Sequence, residues 1–411
     1  MRLRTIAFVG VVLLGSLATP WFDSPAFAAR QAAPSLRRPL PPRVAPTPPR
    51  AAPSLARPAA RPVKAPPKVY AYGLAWDWKG GLLLADNVNH RIVRFDLETG
   101  QSTLIAGKGT RGFSGDGGPA VEAELSFPVA VAADPVGNVF IVDTANNRVR
   151  RVDAETGEIS TVAGNGQAGF GGDGGPATEA MLNNPNGVAL DPRGRLYISD
   201  SNNQRIRCVD LMTGLITTVA GNGFSGWLGD TGRATRANLQ RPTGLAVDAS
   251  GNLYISDTNN NRVRRVDPRT GIITRYAGSW SEQALGDRGP AHRARLNDPS
   301  GLAVDGDGNL YISDSFQHRV RRVDARTGII TTVAGTGTSG SDGDGQLATQ
   351  AKLGRPAGLA IDAAGNLYVV DTAGSRIRRI DARSGVISTV TVPIPPPPPM
   401  TSSQSAEEKA N

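Results

Sequence analysis

The sequence predicts an all-β protein, a six-bladed β-propeller with four antiparallel strands in each blade. Three observations lead to this prediction. A short strand, a polar turn and a second strand recur six times at a spacing of 57 residues, with no insertion that breaks the period. Apolar residues fall on both faces of the strands, as Val149 and Val152 do, so each small sheet is covered on both sides. Equal modules of this kind pack radially, and a ring leaves no end module exposed.

The fifth module shows the predicted elements in order. Strand a covers residues 301–305, and the turn 305–309 (DGDGN) that follows is rich in the aspartate and glycine that favour tight turns. Strand b covers 310–313, strand c covers 319–323, and a second turn leads to strand d at 329–333. Loops this short make neighbouring strands antiparallel. One aspartate at the end of strand b occupies the same place in every module: Asp86, Asp143, Asp200, Asp257, Asp314 and Asp371.

A glycine-rich insert runs from strand d of one module to strand a of the next. In the second insert, residues 171–177 (GGDGGPA) are followed by a short segment that ends at Leu182. We expect a loop and then one helical turn, whose leucine covers the blade edge. The leucine recurs at the same period as Leu125, Leu182, Leu239, Leu296 and Leu353. Five inserts join six modules, so we expect a notch on the rim between the last module and the first.

The two ends of the chain differ from the repeats, which fill residues 69–392. Residues 1–28 have two arginines, an apolar run of about a dozen residues and an Ala-Phe-Ala cleavage pattern, which predicts an export signal. An uncleaved N-terminal anchor is the alternative. Residues 29–68 hold twelve prolines and nine basic residues and no acid, which predicts an extended linker. The residues from 393 onward are proline-rich and then polar, which predicts a disordered tail. We therefore expect a secreted, periplasmic or cell-envelope protein, with no transmembrane span after signal cleavage.

The net charge of +9 comes from the ends of the chain. Residues 1–68 carry eleven Lys or Arg and one acid, whereas the repeat region has 33 basic and 33 acidic residues. The linker is thus expected to touch an anionic envelope surface, or to act only as a solvated spacer. The neutral repeat region argues against a nucleic-acid partner. The single cysteine, Cys208, replaces a strand-c arginine and is interpreted as a structural thiol.

The repeated pattern resembles a known family. The consensus P-x-G-L-A-V-D, G-N-L-Y-I-S-D-x-x-N-x-R-V-R-R-V-D and T-G-x-I-T-T-V-A-G is similar to the NHL repeat over about four-fifths of the chain. The G-D-G-G-P-A insert resembles the version found in bacterial secreted NHL proteins and in the NHL domain of teneurins. The resemblance implies a six-bladed propeller that binds protein, RNA or envelope ligands. It also implies a few enzymatic cousins, which are lactonases or lyases.

The aspartate at the end of strand b is interpreted as structural. Asp257 is placed to accept from Arg262 across the b–c turn, and the same spacing occurs in all six modules. The predicted pairs are Asp86 with Arg91, Asp143 with Arg148, Asp200 with Arg205, Asp257 with Arg262, Asp314 with Arg319 and Asp371 with Arg376. Six equal pairs indicate architecture and no single chemical centre.

We predict no cofactor and no metal site. The three histidines, His90, His292 and His318, lie in separate modules, and zinc needs ligands that converge. The insert aspartates resemble calcium-loop sequence, although turn formation explains them as well. The alternative to a binding protein is a calcium-dependent lactonase or hydrolase with its site at the central channel.

Aromatic residues in the inserts are the strongest asymmetric feature. They lie on the face that carries the inserts and the b–c turns, where they would contact a ligand or cover apolar blade rims. The candidate binding residues are Phe113, Phe170, Trp227, Trp280, Asp116, Asp173, Asp230, Asp287 and Asp344. The sequence therefore predicts an exported, non-enzymatic binding or scaffold propeller, whose partner is a protein, a peptide or a cell-envelope glycan.

Overall fold

A computed structural model describes residues 70–279, 285–393 and 395 of the chain. The predicted signal (1–28), the linker (29–68) and the tail beyond residue 395 lie outside these residues and stay predictions.

The described residues form six β-sheets, and each sheet contains the four antiparallel strands of one blade. Blade 1 consists of β1 (Ala71–Trp76), β2 (Gly81–Asp86), β3 (Arg91–Asp96) and β4 (Ser102–Ala106). Blade 2 consists of β5 (Gly118–Pro119), β6 (Pro128–Ala133), β7 (Val139–Asp143), β8 (Arg148–Val152) and β9 (Glu158–Ala163). Blade 3 consists of β10 (Pro185–Leu190), β11 (Arg195–Asp200), β12 (Arg205–Asp210) and β13 (Ile216–Ala220). Blade 4 consists of β14 (Pro242–Val247), β15 (Leu253–Asp257), β16 (Arg262–Val266) and β17 (Ile273–Ala277). Blade 5 consists of β18 (Gly289–Pro290), β19 (Pro299–Val304), β20 (Leu310–Asp314), β21 (Arg319–Val323) and β22 (Ile329–Ala334). Blade 6 consists of β23 (Pro356–Ile361), β24 (Leu367–Asp371), β25 (Arg376–Ile380) and β26 (Ile387–Val390). The predicted six-bladed propeller is confirmed.

Short 3₁₀ helices complete the blades. One occurs after strand b in blades 2 to 5: Thr144–Asn146, Ser201–Asn203, Thr258–Asn260 and Ser315–Gln317. Another lies in each insert, where one helical turn was predicted: Ala120–Glu122, Ala177–Glu179, Ala234–Arg236, Ala291–Arg293 and Ala348–Gln350. In the described ranges none of these turns has the length or apolarity of a membrane span.

The core lies between neighbouring blades. Between blades 2 and 3, Phe140 and Val142 pack in one buried cluster with Leu196 and Ile198. Leu182 of the insert is fully buried in the same cluster. Complete burial of such a side chain contributes about 1.5–3 kcal/mol. The predicted role of the insert leucines is confirmed, because all five are at most 2% exposed.

The six inner strands surround a narrow channel. Residues of strand a from every blade line it, and its cavity volume is about 80 Å³. Glycine is required where these strands touch, because a Cβ on Gly244 would overlap the carbonyl oxygen of Ser300. A Cβ on Gly301 would overlap the carbonyl oxygen of Ala357 in the same way. The close backbone approach leaves room for little more than water in the channel.

The ring closes through side-chain packing. The sheets of blades 1 and 6 each consist of four consecutive strands, so neither sheet contains a strand from the other blade. Leu74 and Leu84 of blade 1 pack in one buried cluster with Tyr368 and Val370 of blade 6. The ring is therefore closed by the packing of blade 1 against blade 6 at this one interface.

The aspartates of the c–d turns predict how the protein responds to acid. Backbone N–H groups of the turn and the Arg379 guanidinium lower the pKa of Asp381 to about 2, and Asp96 has a similar shift. Because their ordinary pKa is 3.8, the stabilisation is complete above about pH 4 and disappears as the pH falls toward 2. We expect the double variant Asp96→Asn, Asp381→Asn to be less stable than the parent in urea unfolding at pH 7. The difference should shrink toward zero at pH 2. Glu155→Gln, in an exposed part of the same kind of turn, should match the parent at both pH values.

Candidate binding face

The inserts and the b–c turns lie on one face of the ring, which we call the insert face. Arg148, just after a b–c turn, donates from Nη2 to the carbonyl oxygen of Asn165 in the following insert, at 2.8 Å. Asn183, at the end of that insert, donates its backbone N–H to the carboxylate of Asp200 at the next b–c turn, at 2.7 Å. The inserts are therefore held at both ends by the blades they join.

A fully buried arginine links each insert to the blade beneath it. Arg264 reaches Asp230 of the insert at 2.9 Å and Asp257 of strand b at 3.3 Å. The arrangement recurs in five blades, through Arg150, Arg207, Arg264, Arg321 and Arg378. Burial raises the pKa of Asp257 to about 6, against hydrogen bonds from Asn260, the Gln240 backbone and Arg264, which lower it. The five insert aspartates that were candidate ligand contacts thus hold buried guanidinium groups in the structure.

The arginine partner differs from the predicted one in five blades. In blade 1 the predicted pair forms, with Arg91 Nε 3.0 Å from Asp86. In blades 2 to 6 the carboxylate pairs with the arginine two residues further along strand c. Blade 1 has Val93 at that position. No insert precedes blade 1, so no insert aspartate is available to share a buried guanidinium there.

The five remaining predicted partners contact the inserts instead. Each donates from its guanidinium to a backbone carbonyl of an insert: Arg148 to Asn165, Arg205 to Asn222, Arg262 to Trp227, Arg319 to Thr336 and Arg376 to Ser341. These arginines therefore position the loops of the insert face.

Two of the candidate aromatic residues stack on arginines. The Arg148 guanidinium lies 3.8 Å from the centroid of the Phe113 ring, and Arg205 lies 3.7 Å from that of Phe170. Phe113 and Phe170 remain 41% and 40% exposed, and Trp227 is 52% exposed. One face of each stacked ring thus covers a guanidinium group and not an apolar rim, which leaves the other side for solvent or a ligand. Trp280 lies outside the described residues.

The residue just before strand a forms a ring around the channel mouth on the insert face. We call this set the mouth ring: Tyr70, Phe127, Asn184, Arg241, Asp298 and Arg355. The last five share a left-handed backbone, with φ between 50° and 61°. The backbone N–H of each donates to a side chain of the preceding b–c turn: Phe127 to His90, Asn184 to Asn147, Arg241 to Gln204, Asp298 to Asn261 and Arg355 to His318. The backbone is constant, while the side chains include five residue types.

Two of the three histidines belong to this scaffold. His90 and His318 each accept a mouth-ring N–H at Nδ1, at 3.2 Å. Each Nδ1 accepts through its lone pair, so this nitrogen holds no proton in the hydrogen bond. Burial lowers the pKa of His90, and the nearby Arg111 lowers it further. His292 lies apart from them, exposed on the 3₁₀ turn of an insert.

The mouth ring has a charged side and an aromatic side. Asp298 of blade 5 lies between Arg241 and Arg355, whose positive charges oppose the rise of its pKa on burial. The same three residues act on the Tyr72 phenol, whose pKa is raised by burial and by Asp298. Tyr72 of blade 1 lines the channel and is 38% exposed. On the opposite side of the ring are Tyr70 and Phe127, both exposed.

Other side chains add to the charged and aromatic groups around the channel mouth. Arg111 stacks over Phe127 at 5.1 Å, and Arg355 stacks over Phe316 at 4.3 Å. Polar groups of Asn186, Thr243 and Ser300 line the channel below. Around the mouth there are thus three guanidinium groups, one carboxylate and several exposed rings. Within the described ranges, no three His, Cys, Asp or Glu side chains converge as metal ligands would.

The sequence prediction did not include the mouth ring, because it rested on positions that repeat. An alignment of the six modules shows the signal directly, since the position before the strand-a proline changes its chemistry from copy to copy. Variation on a constant backbone is typical of a surface that contacts something outside the repeat.

The fold and this face define a class, the NHL-type six-bladed propellers. The family model described as "SMP-30/Gluconolactonase/LRE-like region" matches residues 128–401, and the chain belongs to that family. NHL repeat-containing protein 2 of Bos taurus is 28% identical over 348 residues, which cover 76% of this chain and 48% of that protein. Teneurin-4 of Mus musculus is 33% identical over 298 residues, covering 63% of this chain and 10% of that protein.

A solved structure shares the fold. An auxiliary nutrient binding protein from Bacteroides thetaiotaomicron superposes with a TM-score of 0.55 at 20% identity, covering 79% of this chain and 70% of that chain. The chain spans less than half the length of the curated relatives it matches. The resemblance to NHL repeats and to teneurins that the sequence suggested is confirmed.

The buried arginines give a stability prediction. In Arg264→Leu, Asp230 and Asp257 lose their common partner, and breaking a buried ion pair on one side costs about 3–5 kcal/mol. We expect a loss of that size in the free energy of unfolding, measured with urea. Arg269→Leu, at an exposed c–d turn, should change it by less than about 0.5 kcal/mol. Equal effects of the two substitutions would show that the buried network does not hold the insert.

Proposed function

We propose that the protein is an exported, non-enzymatic binding propeller that recognises a protein, peptide or glycan through the insert face, centred on the mouth ring. The observation that carries this proposal is the mouth ring itself. Five backbones are held in one conformation by side chains of the preceding blades, while the exposed groups differ. A repeat that is otherwise uniform thus presents one non-repeating surface.

The charges at the mouth favour an anionic ligand. Arg241 and Arg355 are both exposed, and a single carboxylate, Asp298, lies between them. Arginine binds carboxylate, phosphate and sulfate groups through paired N–H donors. The exposed rings on the other side of the mouth supply flat contact surfaces for sugars or side chains.

The insert face is prepared for binding before a ligand arrives. Each insert is held by a buried arginine, and the second, third and fifth inserts are also held by another arginine that donates to their backbone. A rigid surface loses little conformational entropy on association, so more of the contact energy appears as affinity. This preorganisation supports a recognition role for the face.

Export is also part of the proposal, and it rests on the N-terminal sequence. Residues 1–28 have the pattern of a signal, and the basic proline-rich residues 29–68 would separate the propeller from an envelope surface. A fusion of residues 1–68 to a reporter that is active only outside the cytoplasm tests this point. Loss of activity when Arg2 and Arg4 are replaced by glutamate would support a signal.

A lactonase is the second candidate, because the matched family model includes gluconolactonases in its description. Asp298 is the carboxylate that the mouth ring would offer to a calcium ion. Calcium-dependent hydrolysis of an aldonolactone, lost both with chelator and in Asp298→Asn, would favour this candidate over the binding protein.

The binding proposal is tested with defined polymers. We expect calorimetric titration at low salt to detect binding of either polyglutamate or polygalacturonate, and not of polylysine or neutral dextran. In Arg241→Gln, Arg355→Gln the dissociation constant should rise about a hundredfold or more, because two charge-assisted hydrogen bonds of about 1.5–3 kcal/mol each are lost. Asp298→Asn should tighten binding, since it removes the only carboxylate of the mouth ring.

The control for this test is Arg269→Gln, which changes an exposed arginine at a c–d turn, on the opposite face from the mouth. Its affinity should equal that of the parent. Binding that weakens equally in the control and in the mouth variant would reflect net charge and would contradict a site at the mouth. A circular dichroism melt for each variant separates lost binding from lost fold.

A further inference from the structure

The junction between blades 6 and 1 differs from the other five. Each of the other junctions buries two alanines and a leucine of an insert, such as Ala177, Ala180 and Leu182. The buried cluster between blades 6 and 1 contains no insert residues among those the structure describes. Larger side chains, Phe95 and Trp76, take part in this cluster instead.

The outer edge of blade 1 is also left incomplete. In blades 2 to 6 a fully buried isoleucine opens or lies near the start of strand d, beneath the insert: Ile159, Ile216, Ile273, Ile330 and Ile387. Blade 1 has Ser102 at this position, and its Oγ is buried with no hydrogen-bond partner within the described residues. The sheet of blade 1 ends at β4, whereas inserts add β5 and β18 to the edges of blades 2 and 5.

The chain beyond β26 enters this gap. Val390 and Val392 pack against the cluster between blades 6 and 1. Arg91 then donates from Nη1 to the carbonyl oxygen of Pro395, at 3.3 Å. The first, second, third and fifth inserts take a similar path: each leaves one blade and contacts the first arginine of strand c in the next, as Phe113 contacts Arg148. Arg91 holds the position of Arg148 one period earlier.

The period also shows which later residues would meet Arg91. Counting 57 residues from Ser341 brings Pro398 to the position held by Phe113, Phe170 and Trp227 in the first three inserts. Residues 393–399 are proline except for Ile394. A proline run is already extended and loses little entropy on docking, and its flat apolar rings pack on exposed side-chain planes.

We propose that the gap on blade 1 is a docking groove for the proline run 393–399 of the same chain. The run occupies the place of the missing sixth insert, with Arg91 as its anchor, and it joins the last blade to the first. The proline run is assigned as the occupant because Val392, just before it, packs against the cluster between blades 6 and 1, and Pro395, within it, accepts a hydrogen bond from Arg91.

Two truncations test the proposal. Ending the chain after Val392 removes the proline run, and ending it after Met400 keeps the run and removes only the polar residues. We expect the first to lower the melting temperature by about 2–4 °C and to speed amide hydrogen exchange in β3 and β4. The second should match the full chain in both measurements.

A peptide with the sequence of residues 393–400 provides a second readout. It should bind the chain that ends after Val392, raise its melting temperature and restore slow exchange in β3 and β4. It should not bind the chain that ends after Met400, whose groove is filled. Equal exchange in the two truncated chains, together with no peptide binding, would overturn the proposal.

Arg91 also pairs with Asp86, so the effect of Arg91→Lys is measured both in the full chain and in the chain that ends after Val392. Arg91→Lys should lower the melting temperature of the full chain more than that of the chain ending after Val392, because only the former has the proline run to lose. Equal losses would limit Arg91 to its pair with Asp86 and contradict the anchor. If instead deletion of residues 29–65 opens β3 and β4, the linker is the occupant and the tail is not.

Discussion

Five buried arginines determine the geometry of the insert face. Each guanidinium is fully buried between a carboxylate of strand b and a carboxylate of an insert. Removing a guanidinium from water costs several kcal/mol, and that penalty is offset only when both carboxylates and the backbone acceptors are in place. The insert therefore has one favourable position on its blade. Val93 supports this interpretation, because blade 1 has an apolar side chain in the slot where no insert arrives to share the charge.

A rigid scaffold allows one set of positions to vary. The mouth-ring backbones are held by hydrogen bonds from b–c turn side chains, so their own side chains contribute nothing to the fixed path of the chain. The side chains of Arg241 and Asp298 can therefore differ from blade to blade without a change in the backbone, while the glycines of the inner strands cannot change without a clash. The variable mouth-ring residue and the fixed glycine of strand a are thus only three positions apart along the chain, as Arg241 and Gly244 are.

The fold could be predicted from sequence because its signals are local and repeated six times. The bounds of strand c in the fifth module, 319–323, agree to the residue, and the other strands of that module agree within two residues. The partner of Asp257 could not be predicted in the same way. Arg262 and Arg264 lie on the same side of strand c, since alternate side chains share a face, so spacing alone does not distinguish them. The choice depends on where Asp230 lies, and that is a property of the folded insert.

The candidate site shows the same limit. The sequence left open whether Phe113 and Phe170 contact a ligand or cover apolar blade rims. Their stacking on arginines depends on how each insert lies on the blade that follows it. The mouth-ring positions can be found from the sequence alone, by comparing the six modules for positions at which they differ. What the structure adds is that these different residues precede the six strands that line one channel, so they come together at its mouth.

Closure of the ring explains why the symmetry is broken at one junction. Six blades in an open row have five interfaces, and closing the row adds a sixth without ordering any further residue of the blades. That sixth interface lies where the repeats begin and end, so an insert cannot be encoded there in the same way as in the others. At this junction Phe95, Trp76, Val390 and Val392 take part in the buried cluster, where the other junctions bury alanines and a leucine of an insert. The junction between blades 6 and 1, whose sequence least resembles the repeats, is therefore the one that closes the ring. The stability of this junction limits how much the other five interfaces contribute to the stability of the closed ring.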